Sequence, residues 1–243
     1  MTLSTTDFIN GLFALIFAVV TITIGLRIAS KYFEFKHKTF LYIGIGWAGF
    51  SSGWWGSGFG FLYYVLSNRF FEDTFYIFIQ VFFVPLFTYL VFYGLTELIF
   101  KGNKKFMFRV IFLLIDLLFM IYLLIFIILD PSQIGVKTGT FDLTFGIVVI
   151  IYLVFGAILP IAIGGLIFSY NGIKSSNKEL NIKGKILVLA FILFLIGVIL
   201  DAMLVLTELT LIITRSILTG CSVLFYLGYL LPDWFKRIFI NED

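Results

Sequence analysis

The chain has 243 residues, 61% hydrophobic and 20% aromatic but only 13% charged, with a mean hydropathy of +1.10. Those values exclude a soluble globular domain and imply a polytopic helical membrane protein, a single membrane domain over residues 1–243, because no polar interval is long enough to fold separately. The net charge of +3 says little; its distribution sets an orientation.

Seven apolar runs, at about 8–30, 40–66, 74–99, 106–129, 143–169, 185–206 and 209–231, each approach the roughly 20 residues that cross a ~30 Å hydrocarbon core. The start, MTLSTTDF, lacks a basic region ahead of the first run, which predicts a retained helix rather than a cleaved signal. The expected fold is an all-α, seven-transmembrane-helix bundle.

The second run contains GIGWAGFSSGWWGSGFGFLYY, residues 44–64. Gly46, Gly49, Gly53, Gly56 and Gly60 recur at steps of three and four, a stripe of bare backbone for close helix packing, within the chain or in an oligomer. Trp47, Trp54 and Phe61 recur every seven residues on a neighbouring face, with Ser51, Ser52 and Ser57 among them. An aromatic wall with a few hydroxyls suits a pocket for an apolar or cationic ligand.

Pro85 and Pro160 fall inside the third and fifth runs, where each removes a backbone hydrogen bond and predicts a kink. The fourth run places Asp116 near the midplane, an intramembrane acid expected to bond Tyr122, Tyr89 or a serine of the second run, or to serve a proton-linked role. In the sixth and seventh runs Asp201 and Arg215 share one depth on antiparallel helices joined by a tight turn at Thr207 and Glu208. An ion pair between them is expected, either structural or as the resting state of an arginine that clamps an anionic ligand.

Fourteen of the seventeen basic residues flank the odd-numbered connections or lie in the tail, whereas Arg69, Lys137 and Arg215 occupy the other side. By the positive-inside rule the N-terminus is outside and the C-terminus cytoplasmic. The ending LPDWFKRIFINED agrees: Pro232 stops the last helix, Trp234 sits at headgroup depth, and Lys236 and Arg237 meet the anionic inner leaflet.

Several chemistries are excluded. A retinal Schiff base needs an amine, and the seventh run offers only the guanidinium of Arg215. One histidine, His37, and one cysteine, Cys221, leave no metal or haem site, and no cofactor is expected. No nucleophile and base converge, so the chain does not read as an enzyme. Glycines inside a membrane helix carry no nucleotide motif, and no nucleic-acid partner is expected. The second and sixth runs share no pattern that would mark an internal repeat.

From the TLSTTDF start to the LPDWFKR end, the outside-in seven-span layout with short loops and a basic, tryptophan-containing exit resembles the N-terminal seven-transmembrane sensor region of prokaryotic membrane histidine kinases. The resemblance implies sensing at or in the membrane and a helix movement passed to a cytoplasmic output. Since nothing follows Asp243 here, the output would belong to a separate cytoplasmic or membrane signalling partner. The expectation is a receptor-like, multi-pass protein of the cell membrane with an outward-facing pocket lined by Ser51, Ser52, Trp54, Trp55, Asp201 and Arg215. The alternatives are a small-solute or proton-linked transporter using Asp116, and a non-catalytic membrane assembly subunit.

Overall fold

The computed structural model describes residues 3–205 and 207–239, so Leu206, the predicted end of the sixth run, lies outside the described residues. Helix α1 (Thr5–Phe35) is capped by Ser4, whose side chain accepts from the Asp7 amide. It is followed by α2 (Lys38–Phe50), a 3₁₀ turn (Ser51–Trp54), α3 (Trp55–Ser67), α4 (Asp73–Val81), α5 (Val84–Ile99) and α6 (Gly102–Leu129). A hairpin of β1 (Gly135–Gly139) and β2 (Asp142–Phe145) precedes α7 (Ile147–Ile151), a π-helical segment (Tyr152–Ile158) and α8 (Leu159–Ile173). The chain ends in α9 (Lys178–Met203), α10 (Glu208–Leu230) and the short α11 (Asp233–Phe239).

Six helical stretches, 5–35, 73–99, 102–129, 147–173, 178–203 and 208–230, are long and apolar enough to cross a membrane. The second predicted run, 40–66, is not one helix but two of 13 residues each, parted by the 3₁₀ turn. The cause is local. Ser51 bonds back to the carbonyl of Ala48 at 2.9 Å, and Gly53 follows two residues later, so the sequence SSG weakens the α-helical ladder at that point.

Both membrane prolines act as their chemistry requires. The break at Phe82 and Phe83 lies just upstream of Pro85, and the π-helical segment runs into Pro160, where wider turns accommodate the missing N–H. A second correction concerns residues 135–145, expected as a connection leading into the fifth run at 143 and observed as an antiparallel hairpin pairing Val136 with Thr144 and Lys137 with Leu143. The helical part of the fifth run consequently begins at Ile147, not at 143.

Contacts trace a closed ring: α1 on α2 and α3, these on α4 and α5, α5 on α8, α8 on α9, α9 on α10, and α10 back on α1. Helix α6 lies outside the ring against α5, burying only Asp116, Phe119 and Leu123, with Leu118, Ile128 and Leu129 among its exposed residues. Such a belt of exposed aliphatic side chains fits lipid contact. Small residues set the closest approaches. A Cβ on Gly44 would collide with the Ala29 backbone of α1, and one on Gly46 would lie 2.6 Å from the Val91 nitrogen of α5. Thr21 and Ser222, 2.9 Å apart and fully buried, add a hydroxyl bond between α1 and α10.

The ring is filled differently at its two ends. Towards the end that carries α11, Trp47, Phe191, Phe194, Phe225 and Cys221 form a closed core, with the rings of Trp47 and Phe225 only 3.7 Å apart. Towards the hairpin end, Tyr76, Ile77, Val81, Ile134, Leu143 and Tyr152 pack the α4, hairpin and π-segment side. Between these two clusters lies a cavity.

Candidate functional site

The cavity has a volume of about 570 Å³ and is walled by the 3₁₀ turn, the α4 to α5 break, β2, the π-helical segment, α9 and α10. All three interruptions in the helices therefore face it, through Phe50, Gly53 and Trp54, through Val81 and Val84, and through Leu153, Val154 and Ala157. Irregular backbone at membrane depth is tolerated where it lines a cavity or is covered by protein, and π-turns recur at functional sites.

Asp201 and Arg215 form an ion pair at 2.7 Å, with side chains only 14% and 6% exposed. The Asp201 carboxylate also accepts from Trp54 Nε1 at 3.0 Å and from Thr214 Oγ1 at 3.3 Å. Arg215 lies over the Trp54 ring at 5.6 Å and donates to Asn10 Oδ1 at 3.4 Å. Asn10 in turn donates to the Phe141 carbonyl at the hairpin tip at 2.9 Å. One polar chain thus joins α1, the 3₁₀ turn, the hairpin, α9 and α10.

The hairpin roofs this network and is pinned on three sides. Asp7 on α1 accepts from the Thr140 amide at 3.2 Å, Lys137 pairs with Asp73 at the start of α4 at 3.0 Å, and Tyr122 on α6 donates to the Gln133 carbonyl at 2.9 Å. Phe141, 2% exposed, wedges against Phe61 and Phe70. On the α4 side, Gln80 accepts from the Ser57 amide at 3.2 Å, and the hydroxyls of Ser57 and Tyr76 are 3.0 Å apart.

Of the six residues expected to line a pocket, Trp54, Asp201 and Arg215 do so. The other three do not. Ser51 and Ser52 are fully buried in the turn, and Trp55 points the opposite way, its ring against Phe59, Phe83 and Phe87 and its N–H bonded to Ser51 Oγ. The 3₁₀ turn is the reason, since it rotates α3 relative to α2 and breaks the seven-residue spacing on which a continuous wall depended.

The glycine stripe divides as well. A Cβ on Gly46 or Gly49 would strike α5, one on Gly56 would strike Gln80 of α4, and one on Gly60 would meet the Phe71 and Phe141 rings at ordinary contact distance. Gly53 alone of the five opens into empty space, the cavity itself. Four of the five positions are thus packed within the chain. Asp116 bonds neither Tyr122 nor Tyr89 nor a serine but accepts from Tyr152 of the π-helical segment at 2.6 Å, outside both cavities.

Residues the sequence did not single out complete the site: Asp142, Thr144 and Phe145 of β2, with Phe50 and Phe194. The signal for the hairpin was present in GVKTGTFDLTF, where β-formers flank a Thr-Gly-Thr turn. A second cavity, about 560 Å³, lies at the opposite end between α2, α5, α8, α9 and α10, with His37 and Lys183 beside Phe40, Ile43 and Leu187. Among the described residues no cluster of side chains could hold a metal ion. Compared with family models, curated proteins and solved structures, the chain matches none.

Proposed function

We propose that this is a receptor-like protein of the cell membrane, crossing it seven times with the N-terminus outside, that binds a ligand in the cavity beneath the hairpin. The observation that carries the reading is the convergence of three helix interruptions and the Asp201, Arg215 and Trp54 network on a single, partly open cavity of ligand size. Helix α9 supplies a route for output. Its one end holds Asp201, and its other end holds Glu179, paired with Lys183 at 2.7 Å and with Lys236 of α11 at 3.4 Å. A ligand that displaces the α9 to α10 pair shifts a rod of about 33 Å whose far end holds the exit helix. A cytoplasmic or membrane signalling partner would read that shift.

The test uses Gly53→Leu, which projects a side chain into the cavity from a position whose Cβ meets nothing within 4 Å. Protein purified from its native membrane should carry a small molecule, identified by mass spectrometry, that the variant lacks. Identical bound species in both would sink the reading.

Transport is the second reading, favoured by the second cavity at the opposite end. The two are separated by an aromatic partition running from Phe50 and Phe194 to Ile43 and Leu187, seven residues and about 10 Å of helix. Flux of solute through reconstituted vesicles, abolished by Gly53→Leu, would replace the receptor reading. Asp116 lines neither of these two cavities.

A further inference from the structure

Arg215 invites an anion, but its charge is already spent. Asp201 takes it at 2.7 Å, the guanidinium side chain is 6% exposed, and a second donor goes to Asn10. The third charged residue on the cavity wall is Asp142. Its carboxylate accepts from Thr138 Oγ1 at 3.0 Å, and among the described residues it pairs with no cation. The wall thus carries two carboxylates against one guanidinium, a net negative charge. Phe50, Trp54, Phe145 and Phe194 line the same cavity, and aromatic rings attract cations over their faces.

The field at the mouth has the same sign. Around the hairpin end, carboxylates from Asp7 through Glu72, Asp73, Asp130 and Asp142 to Glu208 stand against Arg69 and Lys137, with Asp201 and Arg215 cancelling below. Such an imbalance raises the local concentration of cations and repels anions.

Resting on the ligand-binding reading above, we infer that the cavity takes a monovalent organic cation with an apolar body, its ammonium or equivalent centre opposite Asp142 and its body among the four aromatic rings. The volume of about 570 Å³ holds a group the size of a tetraphenyl ion. Both a soluble amine and the choline group of a lipid carry this chemistry.

The test exploits two ions of nearly equal size and shape, tetraphenylphosphonium and tetraphenylborate, measured by equilibrium dialysis against the full chain in a neutral detergent. Saturable binding of the cation, weakened about tenfold by Asp142→Asn and retained in Asp142→Glu, is the expected result. Saturable binding of the anion alone, or cation binding indifferent to Asp142→Asn, overturns the cation assignment and leaves the cavity as a binding site. Binding of neither ion overturns the assignment; a small molecule still carried by native protein and lost in Gly53→Leu would then preserve the receptor reading on its own. Thermal unfolding of both Asp142 variants within a few degrees of the parent excludes misfolding as the cause. Displacement by benzyltrimethylammonium supports a soluble amine, and displacement by short-chain phosphatidylcholine supports a lipid choline.

Discussion

The same helices build two unlike halves. Directly below Phe50 and Phe194 a layer of Trp47, Phe191 and Phe225 closes the ring, with the second cavity beyond it, and the α2 glycines at that level touch α1 and α5 directly. Above them, three helices are interrupted, charged and hydroxyl groups enter the wall, and a hairpin takes the place of a helical roof. A membrane protein gains little from burying apolar groups away from lipid, so its stability comes from close packing and satisfied polar groups. The closed half supplies the packing. The open half holds its shape through a few polar contacts, and substitutions there separate structural contacts from those a ligand would use.

The largest effect is expected at the ion pair. Arg215→Gln leaves the Asp201 carboxylate buried beside Trp54 and Thr214 without its cation, and should destabilise the chain by about 3–5 kcal/mol. Thermal unfolding in detergent measures the loss. Arg215→Met combined with Asp201→Leu should recover most of it, because replacing both charges removes the uncompensated one. If the single and double variants unfold alike, the pair does not hold α9 to α10.

That contact was legible in the sequence because it follows from counting. Two charged residues at equal distance from a tight turn on antiparallel helices share one depth, and the cost of burying either alone favours turning them towards each other. The all-α character was likewise readable from long apolar runs, which leave the backbone no other way to satisfy itself in lipid. The orientation of Trp55 was not readable, because it depends on a half-turn change at Ser51 to Trp54 that propensity alone does not locate. Asp116 met Tyr152 because the π-helical segment turns that side chain inward, and a helix drawn as regular puts it elsewhere. The hairpin was missed for the opposite reason: its signal is local, but a short polar stretch between spans reads first as a loop.

Next in size comes a comparison within the glycine stripe. Gly46→Ala places a Cβ 2.6 Å from the Val91 nitrogen, which backbone packing cannot yield to, and should destabilise by about 1–3 kcal/mol. Gly53→Ala meets nothing within 4 Å and should change stability by less than about 0.5 kcal/mol. Equal unfolding temperatures for the two would mean that the closed and open halves are not distinguished at this helix.

Tyr152→Phe tests the buried acid Asp116. It removes the hydroxyl that donates to Asp116 and leaves that carboxyl without a partner on either oxygen, a loss of about 1–2 kcal/mol. Because Asp116 lines neither cavity, ligand binding should be unchanged while the unfolding temperature falls. A change in binding with stability intact would tie the π-helical segment to the site.

The smallest effect is expected at the rim. Lys137 holds the hairpin to α4 through Asp73, but the aspartate side chain is 73% exposed, and exposed pairs of this kind contribute less than about 1 kcal/mol. Lys137→Ala should therefore leave global unfolding nearly unchanged, with Asp7 and Asn10 still fastening the hairpin tip to α1. The readout with resolving power is amide hydrogen exchange. Residues 135–145 should exchange faster in the variant while α9 and α10 do not, as for a segment that opens on its own. If α9 and α10 also exchange faster, the hairpin is part of the cooperative core. Access to the cavity would then require the whole hairpin half to open, and a ligand entering from that end would be coupled to α9 before it reached Arg215.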